Sequence, residues 1–294
     1  MSATRPTVIE IDADERGLAR VTRLQPGDLV SARPVHRDGP RVRIALLGRQ
    51  MSLLGGDRLA LRVRLGPGVS AELIEPAGLV AYDAAGRASR WELTGSLGPG
   101  ARLRYDAAPC VAAQGSALTR RTRLDLAAGA RAVLAETLVL GRTGETGSPV
   151  RTTTRITHDG APLLVEDLVT GPVPGTETSL WRDPAVLAGH RTLVQAMALG
   201  FVPDPDTPGL SAGPADAGMD LEAGTGALSG NTEDPEAAGE SLHLAGPGIL
   251  WRWMGEHAHR GRAALEPVLH RWLAAMDRPE PGDRPEVTGR PDSR

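Results

Sequence analysis

The sequence predicts a mainly β chain, built as β-helix-like stacked layers with a small C-terminal helical part. Three observations carry that expectation. Polar and apolar residues alternate with period two in several stretches of the first two hundred positions. A glycine corner recurs at an interval of roughly thirty residues. Helical spacing of apolar residues is confined to positions beyond 183.

The strands come first. Arg41-Val-Arg-Ile-Ala-Leu46 alternates, and so do Arg58–Leu65 (RLALRVRL), Arg121–Leu126 (RTRLDL) and Arg151–His158 (RTTTRITH). Period-two alternation sets one face on a core and leaves arginines on the other. The corner reads Leu-Gly-Pro-Gly68-Val, then Leu-Gly-Pro-Gly100-Ala, then Leu-Ala-Ala-Gly129-Ala, with a strand on either side each time. Proline presets a negative φ and the next glycine supplies a positive one, as a type II turn requires. A recurring corner fits stacked layers; a meander of ordinary hairpins is the alternative.

Two helical segments follow. Asp183 and Pro184 read as an N-cap and a first-turn proline, Val186, Leu187, Leu193, Val194 and Met197 share a helical face, and Gly200 suits the position after a helix end. This places a helix at about 184–199, closing a β-rich body of residues 1–202. Residues 203–247 hold 14 glycines or prolines, nine carboxylates and no arginine, an acidic composition expected to be disordered. In 248–276, Leu265, Val268, Leu269, Trp272, Leu273 and Met276 repeat as one face of an amphipathic helix. Trp251, Trp253 and Trp272 fall here and read as core. The tail, 277–294, has the composition of another disordered segment.

Composition narrows the function. The chain has 294 residues, 33 basic side chains that are all arginine, 36 carboxylates and a net charge of −3. Without residues 203–247 and 277–294, the remaining body is mildly basic. The lack of lysine excludes a P-loop and a Schiff-base nucleophile. No Gly-x-Ser-x-Gly or His-Glu-x-x-His occurs. The single cysteine, Cys110, excludes an internal disulfide and reads as a small buried hydrophobe. No apolar run of about 18 residues or secretory leader is present, so a cytoplasmic protein is expected, with neither nucleic acid nor membrane as partner. His257 and His259, two apart on an expected helix, should point to opposite faces and share no metal.

Several carboxylates in the β region remain as candidates. Asp57 follows Gly55-Gly56, where a turn aspartate is the simpler reading. Glu136 stands in the apolar run Ala132–Leu140 and needs a partner, water or a metal. Arg142 and Glu145 flank a glycine turn and fit a surface ion pair equally well. Glu166 and Asp167 end another apolar strand.

At these residues the chain resembles the urease accessory protein UreD (UreH) family. The matching stretches are Leu53-Leu-Gly-Gly-Asp-Arg-Leu-Ala-Leu61, the corner at 66–68, Leu103–Pro109, Arg121–Ala130, Glu136–Glu145, Pro162–Leu168 and Asp183–Arg191 with Leu199-Gly200. Their order and spacing agree over about 16–202 and 242–276. The family pattern differs at 74–82 and 110–116. The resemblance implies a non-catalytic scaffold that docks on apo-urease and binds UreF, which engages the GTPase UreG, so that nickel is loaded into urease. It implies no tightly bound cofactor, Ni²⁺ in transit through an internal polar tunnel, and GTP only on the partner. A transit path favours weak oxygen ligands in series, which makes Asp57, Glu136 and Glu145 the expected lining, with Arg142 positioning Glu145. The competing readings are a β-helical polysaccharide-acting enzyme, disfavoured by only eight aromatic residues, and a plain β-scaffold.

Overall fold

The structure, a computed structural model, describes residues 4–50, 52–145, 147–170, 183, 186–203 and 239–278. It is mainly β, in stacked layers. One sheet contains β1 (Thr7–Ala13), β2 (Ala19–Gln25), β6 (Arg58–Leu65), β9 (Ser89–Leu97), β12 (Leu118–Leu126), β14 (Val150–His158) and β15 (Ala161–Val169). Its order is β15-β14-β12-β9-β6-β1-β2. The five from β1 to β14 are parallel, and antiparallel partners β2 and β15 close the two edges.

The second sheet has β3 (Val30–Asp38), β4 (Arg41–Gly48), β7 (Ser70–Ile74), β10 (Arg102–Asp106), β13 (Arg131–Leu140), β16 (Thr192–Leu199), β17 (Glu240–His243) and β18 (Gly248–Gly255). β4, β7, β10 and β13 run parallel, and the other strands add antiparallel at the ends. Short strands β5 (Ser52–Leu53), β8 (Leu79–Ala81) and β11 (Cys110–Ala112) make a third side, joined to the second sheet through β11 and β13. The chain therefore winds through three sides per turn, from β6 to β7 to β8 and then to β9.

The repeated corner makes this stacking possible. Gly68, Gly100 and Gly129 have φ of 68°, 66° and 67°. The Gly68 N–H donates to the Pro99 carbonyl at 2.9 Å and the Gly100 N–H to Ala128 at 3.3 Å. Each corner thus hydrogen-bonds the next, and only glycine takes this φ without strain.

Inside, rows of aliphatic residues stack across the strands: Leu61 on Leu93, and Leu65 on Leu97 and Leu126, all buried. The outward positions of the same strands carry arginine and threonine, as the alternation predicts.

The predicted helix at 184–199 is not formed. Residues 192–199 are strand β16, and only a turn follows Asp183, whose carbonyl accepts N–H groups of Val186, Leu187 and Ala188. The reason is burial on both faces. Leu193, Met197 and Leu199 enter the main core, while Val194, Ala196 and Ala198 face the helix layer. A strand covered on both sides reads as a continuous apolar run, which spacing alone cannot distinguish from a helix. Gly200 does take a positive φ of 79°, but it ends a strand.

Two further boundaries shift. β17 lies inside the stretch expected to be disordered, and residues 248–255 of the expected helical segment are strand β18. Residues 204–238 and 279–294, the rest of the two acidic segments, lie outside the described residues.

The C-terminal helix α1 (Ala258–Met276) packs Leu265, Val268, Trp272 and Met276 against Val133, Ala135, Val194, Ala196, Trp251 and Trp253. All three tryptophans are core. Gly261 permits the close approach: a Cβ there would lie 2.5 Å from the Trp253 ring. Arginines from the second sheet hold the helix end, with Arg102 and Arg131 donating to the Met276 carbonyl and Arg104 pairing with Asp277. No helix among the described residues is long and apolar enough to cross a membrane.

Candidate functional site

The inward row Leu59–Trp91–Arg120–Thr152 changes chemistry at its third strand. Arg120 points into the core, 4% exposed, with its guanidinium 4.5 Å above the Trp91 ring. An ionised side chain at this depth requires an opposite charge. Glu136 provides it from β13: its Oε1 is 3.2 Å from Arg120 Nη2.

The contacts continue across the interior. Gln195 Nε2 on β16 donates to Glu136 Oε2 at 3.1 Å. Arg252 on β18 donates to Gln195 Oε1 at 3.2 Å and to Glu166 on β15 at 2.5 Å. Arg120, Glu136, Gln195, Arg252 and Glu166 therefore form one polar line between the two sheets. It runs from the centre of the solenoid to the half-buried Arg252–Glu166 pair at its open end.

On the other side of Arg120 lie Glu75, Tyr105 and Cys110. Glu75 accepts the Tyr105 hydroxyl at 2.7 Å and the Ala108 N–H at 3.0 Å. Burial pushes the Glu75 carboxyl up, against the pull of those two donors. Burial likewise raises the Tyr105 hydroxyl and the Cys110 thiol, so both stay protonated at neutral pH. Burial alone would lower the Arg120 pKa; the anionic groups facing it, Glu136 foremost, reverse this and keep it charged. A cavity of about 30 Å³, large enough for one water, is lined in part by Glu75, Cys110 and Arg120. Among the described residues, the Arg120 Nε has no hydrogen-bond partner.

The three candidate lining residues separate. Glu136 is inside, on the polar line. Asp57 is a turn residue whose carboxylate accepts the Leu54 N–H at 2.9 Å while its own N–H returns to the Leu54 carbonyl. Glu145 is held by Arg142, whose Nε donates at 2.7 Å, and by the N–H groups of Arg142 and Gln114. Those bonds, the Arg142 side chain first, hold its carboxyl down to about 2. Arg142 and Glu145 form an ion pair that ties two turns together. No group of three or more His, Cys, Asp or Glu suited to a metal ion occurs among the described residues.

Cys110 is buried, as its sequence context predicts. The histidines are a correction: His257 and His259 stack with ring centroids 5.5 Å apart. His257 is the N-cap, with φ −121° and ψ 118°, so the helical angle between the two does not apply.

Arg120, Gln195 and Arg252 were missed as candidates, although strand parity marks the two arginines. In Leu118-Thr-Arg-Arg-Thr-Arg-Leu124, position 120 shares the parity of the two leucines. Arg252 lies between two tryptophans that face the helix layer, and so faces the opposite way.

Residues 9–286 match the family model described as UreD urease accessory protein. The chain is 40% identical over 253 residues to urease accessory protein UreD 1 of Streptomyces griseus subsp. griseus, covering 86% of this chain and 94% of that one. It is 33% identical to UreD of a Parafrankia species, over 82% of this chain and 80% of the relative. UreD of Streptomyces coelicolor is also 33% identical, over 65% and 76%. The match to the family model from residue 9 to residue 286, with a relative 40% identical over most of both chains, establishes that this chain belongs to the UreD family of urease accessory proteins.

Proposed function

We propose that this chain is a urease maturation factor acting as a scaffold and not as a catalyst. It docks on apo-urease in the cytoplasm, binds UreF, and through UreF engages the GTPase UreG, so that Ni²⁺ reaches the urease active site. The observation that carries the nickel part of this reading is the polar line inside an otherwise apolar solenoid. Glu136 offers two carboxylate oxygens to a passing cation. Arg120 and Gln195 already occupy them, so a metal ion would be held weakly, as transit requires. The lining role assigned to Asp57 and Glu145 has less support, since local turns and an ion pair account for both carboxylates.

The test is rescue. The chain is co-expressed with a urease operon that lacks its own UreD, and urease nickel content and activity are measured. Rescue is expected, and Glu136→Gln should lower nickel content while UreF still co-purifies with the chain. Soluble, UreF-bound protein that restores no activity would refute the maturation role. Full activation by the Glu136→Gln variant would refute the path.

A further inference from the structure

The outward face of the first sheet is a lattice of arginines. Four parallel strands, β6, β9, β12 and β14, present eight of them against two carboxylates, Glu92 and Asp125. Half of the guanidiniums are paired. Arg58 donates through Nε and Nη2 to Glu92, Arg64 through both Nη atoms to Asp12, Arg151 binds Asp167, and Arg123 lies 3.5 Å from Asp125. The other four, Arg62, Arg90, Arg121 and Arg155, are exposed and have no carboxylate within ion-pair distance among the described residues.

These four belong to one flat array. Arg62, Thr94, Arg123 and Arg155 are direct neighbours across the strands, Arg121 lies in the next row and Arg90 in the row beyond it. At the usual strand spacing the unpaired charges span about 15 Å. Beside them Thr94 and Ser96 leave a hollow of about 430 Å³, edged by Arg23, Arg62 and Arg64 and by Glu10 and Asp125, two carboxylates that already face Arg23, Arg64 and Arg123. The chain as a whole carries −3 and its body, without residues 203–247 and 277–294, is mildly basic; eight arginines against two carboxylates make this face a local concentration of that charge.

We propose that this face docks an acidic protein surface, whose carboxylates pair with Arg62, Arg90, Arg121 and Arg155 and whose edge enters the hollow over Thr94–Ser96. The face demonstrates the chemistry itself, since three of its four paired arginines, Arg58, Arg64 and Arg151, already bind carboxylates through two nitrogens, the geometry a guanidinium favours. Nucleic acid fits less well. The outward positions of the four strands carry no aromatic side chain on which bases could stack. The proposal does not depend on the role in urease maturation.

The test uses the full chain and two probes, a fluorescent glutamate-rich peptide and a short duplex DNA of random sequence, with affinity read by anisotropy at low and high salt. Arg62, Arg90, Arg121 and Arg155 are changed together to Gln; a control variant changes the exposed Arg16, Arg33, Arg37 and Arg87, which lie outside the face. Each exposed pair is worth roughly a factor of two, so the face variant should lose about tenfold in peptide affinity, and the control less than about twofold. Circular dichroism confirms that both variants fold. Equal losses in the two variants, or no loss in the face variant, would overturn the proposal. So would tighter binding of DNA than of peptide. A third variant replaces the eight carboxylates between 204 and 236 with amides. A gain of about tenfold in that variant would name the chain's own acidic segment as the occupant and overturn the partner assignment.

Discussion

Replacing Arg120 with methionine keeps most of the side-chain volume over Trp91 but removes the charge that Glu136 faces. Glu136 is 5% exposed, and among the described residues its other polar contact is the Gln195 amide. Breaking a buried ion pair from one side leaves an uncompensated charge and costs about 3–5 kcal/mol. Glu136→Gln should cost a similar amount, because Arg120 would then be the isolated charge. The double variant Arg120→Met/Glu136→Gln buries no charge and keeps an acceptor for Gln195. It should therefore be more stable than either single variant by about 2 kcal/mol or more. Urea unfolding at pH 7 gives the three values directly, and a single substitution should lower Tm by about 10 °C in a chain of this size. Additivity of the two single effects within about 0.5 kcal/mol would refute the reasoning, since it would mean that the two side chains do not interact.

Two further outcomes follow from local geometry. Gly261→Ala places a methyl 2.5 Å from the Trp253 ring and 2.6 Å from Val194 Cγ2, so α1 must shift outward; thermal unfolding should show a loss of about 1–3 kcal/mol, and unchanged stability would mean that the helix is seated more loosely than described. Glu145, held at about 2 by Arg142 and two backbone N–H groups, has a folded pKa below its unfolded value. Its stabilisation is therefore complete above the usual glutamate pKa and is lost as pH falls toward 2. Urea midpoints measured from pH 6 down to pH 2 should fall less steeply in Glu145→Gln than in the parent chain, and identical slopes would contradict the assignment.

Much of the architecture was legible in the sequence because its causes are local. Alternation fixes which side chains of Arg58–Leu65 and Arg151–His158 can face a core, and the Gly68, Gly100 and Gly129 corners need only their own backbone angles. The helix at 258–276 was visible because one of its faces meets solvent and leaves a periodic stripe. The strand at 192–199 was not, because it is covered on both sides and its pattern is uniform.

The candidate site divides along the same line. Glu136 stood out as a carboxylate in an apolar run, a local anomaly. Its partners did not: Arg120, Gln195 and Arg252 come from strands 16, 59 and 116 residues away in order of sequence, and only the stacking of layers brings them together. Asp57 and Glu145 looked equivalent to Glu136 as residue types, yet a turn and an ion pair use both of them. By itself the sequence determined the β-rich class, the layer period and the outward arginines of the alternating strands. The tertiary structure decided which charges are buried against one another, because that depends on strand register, and a shift of one residue exchanges inside for outside.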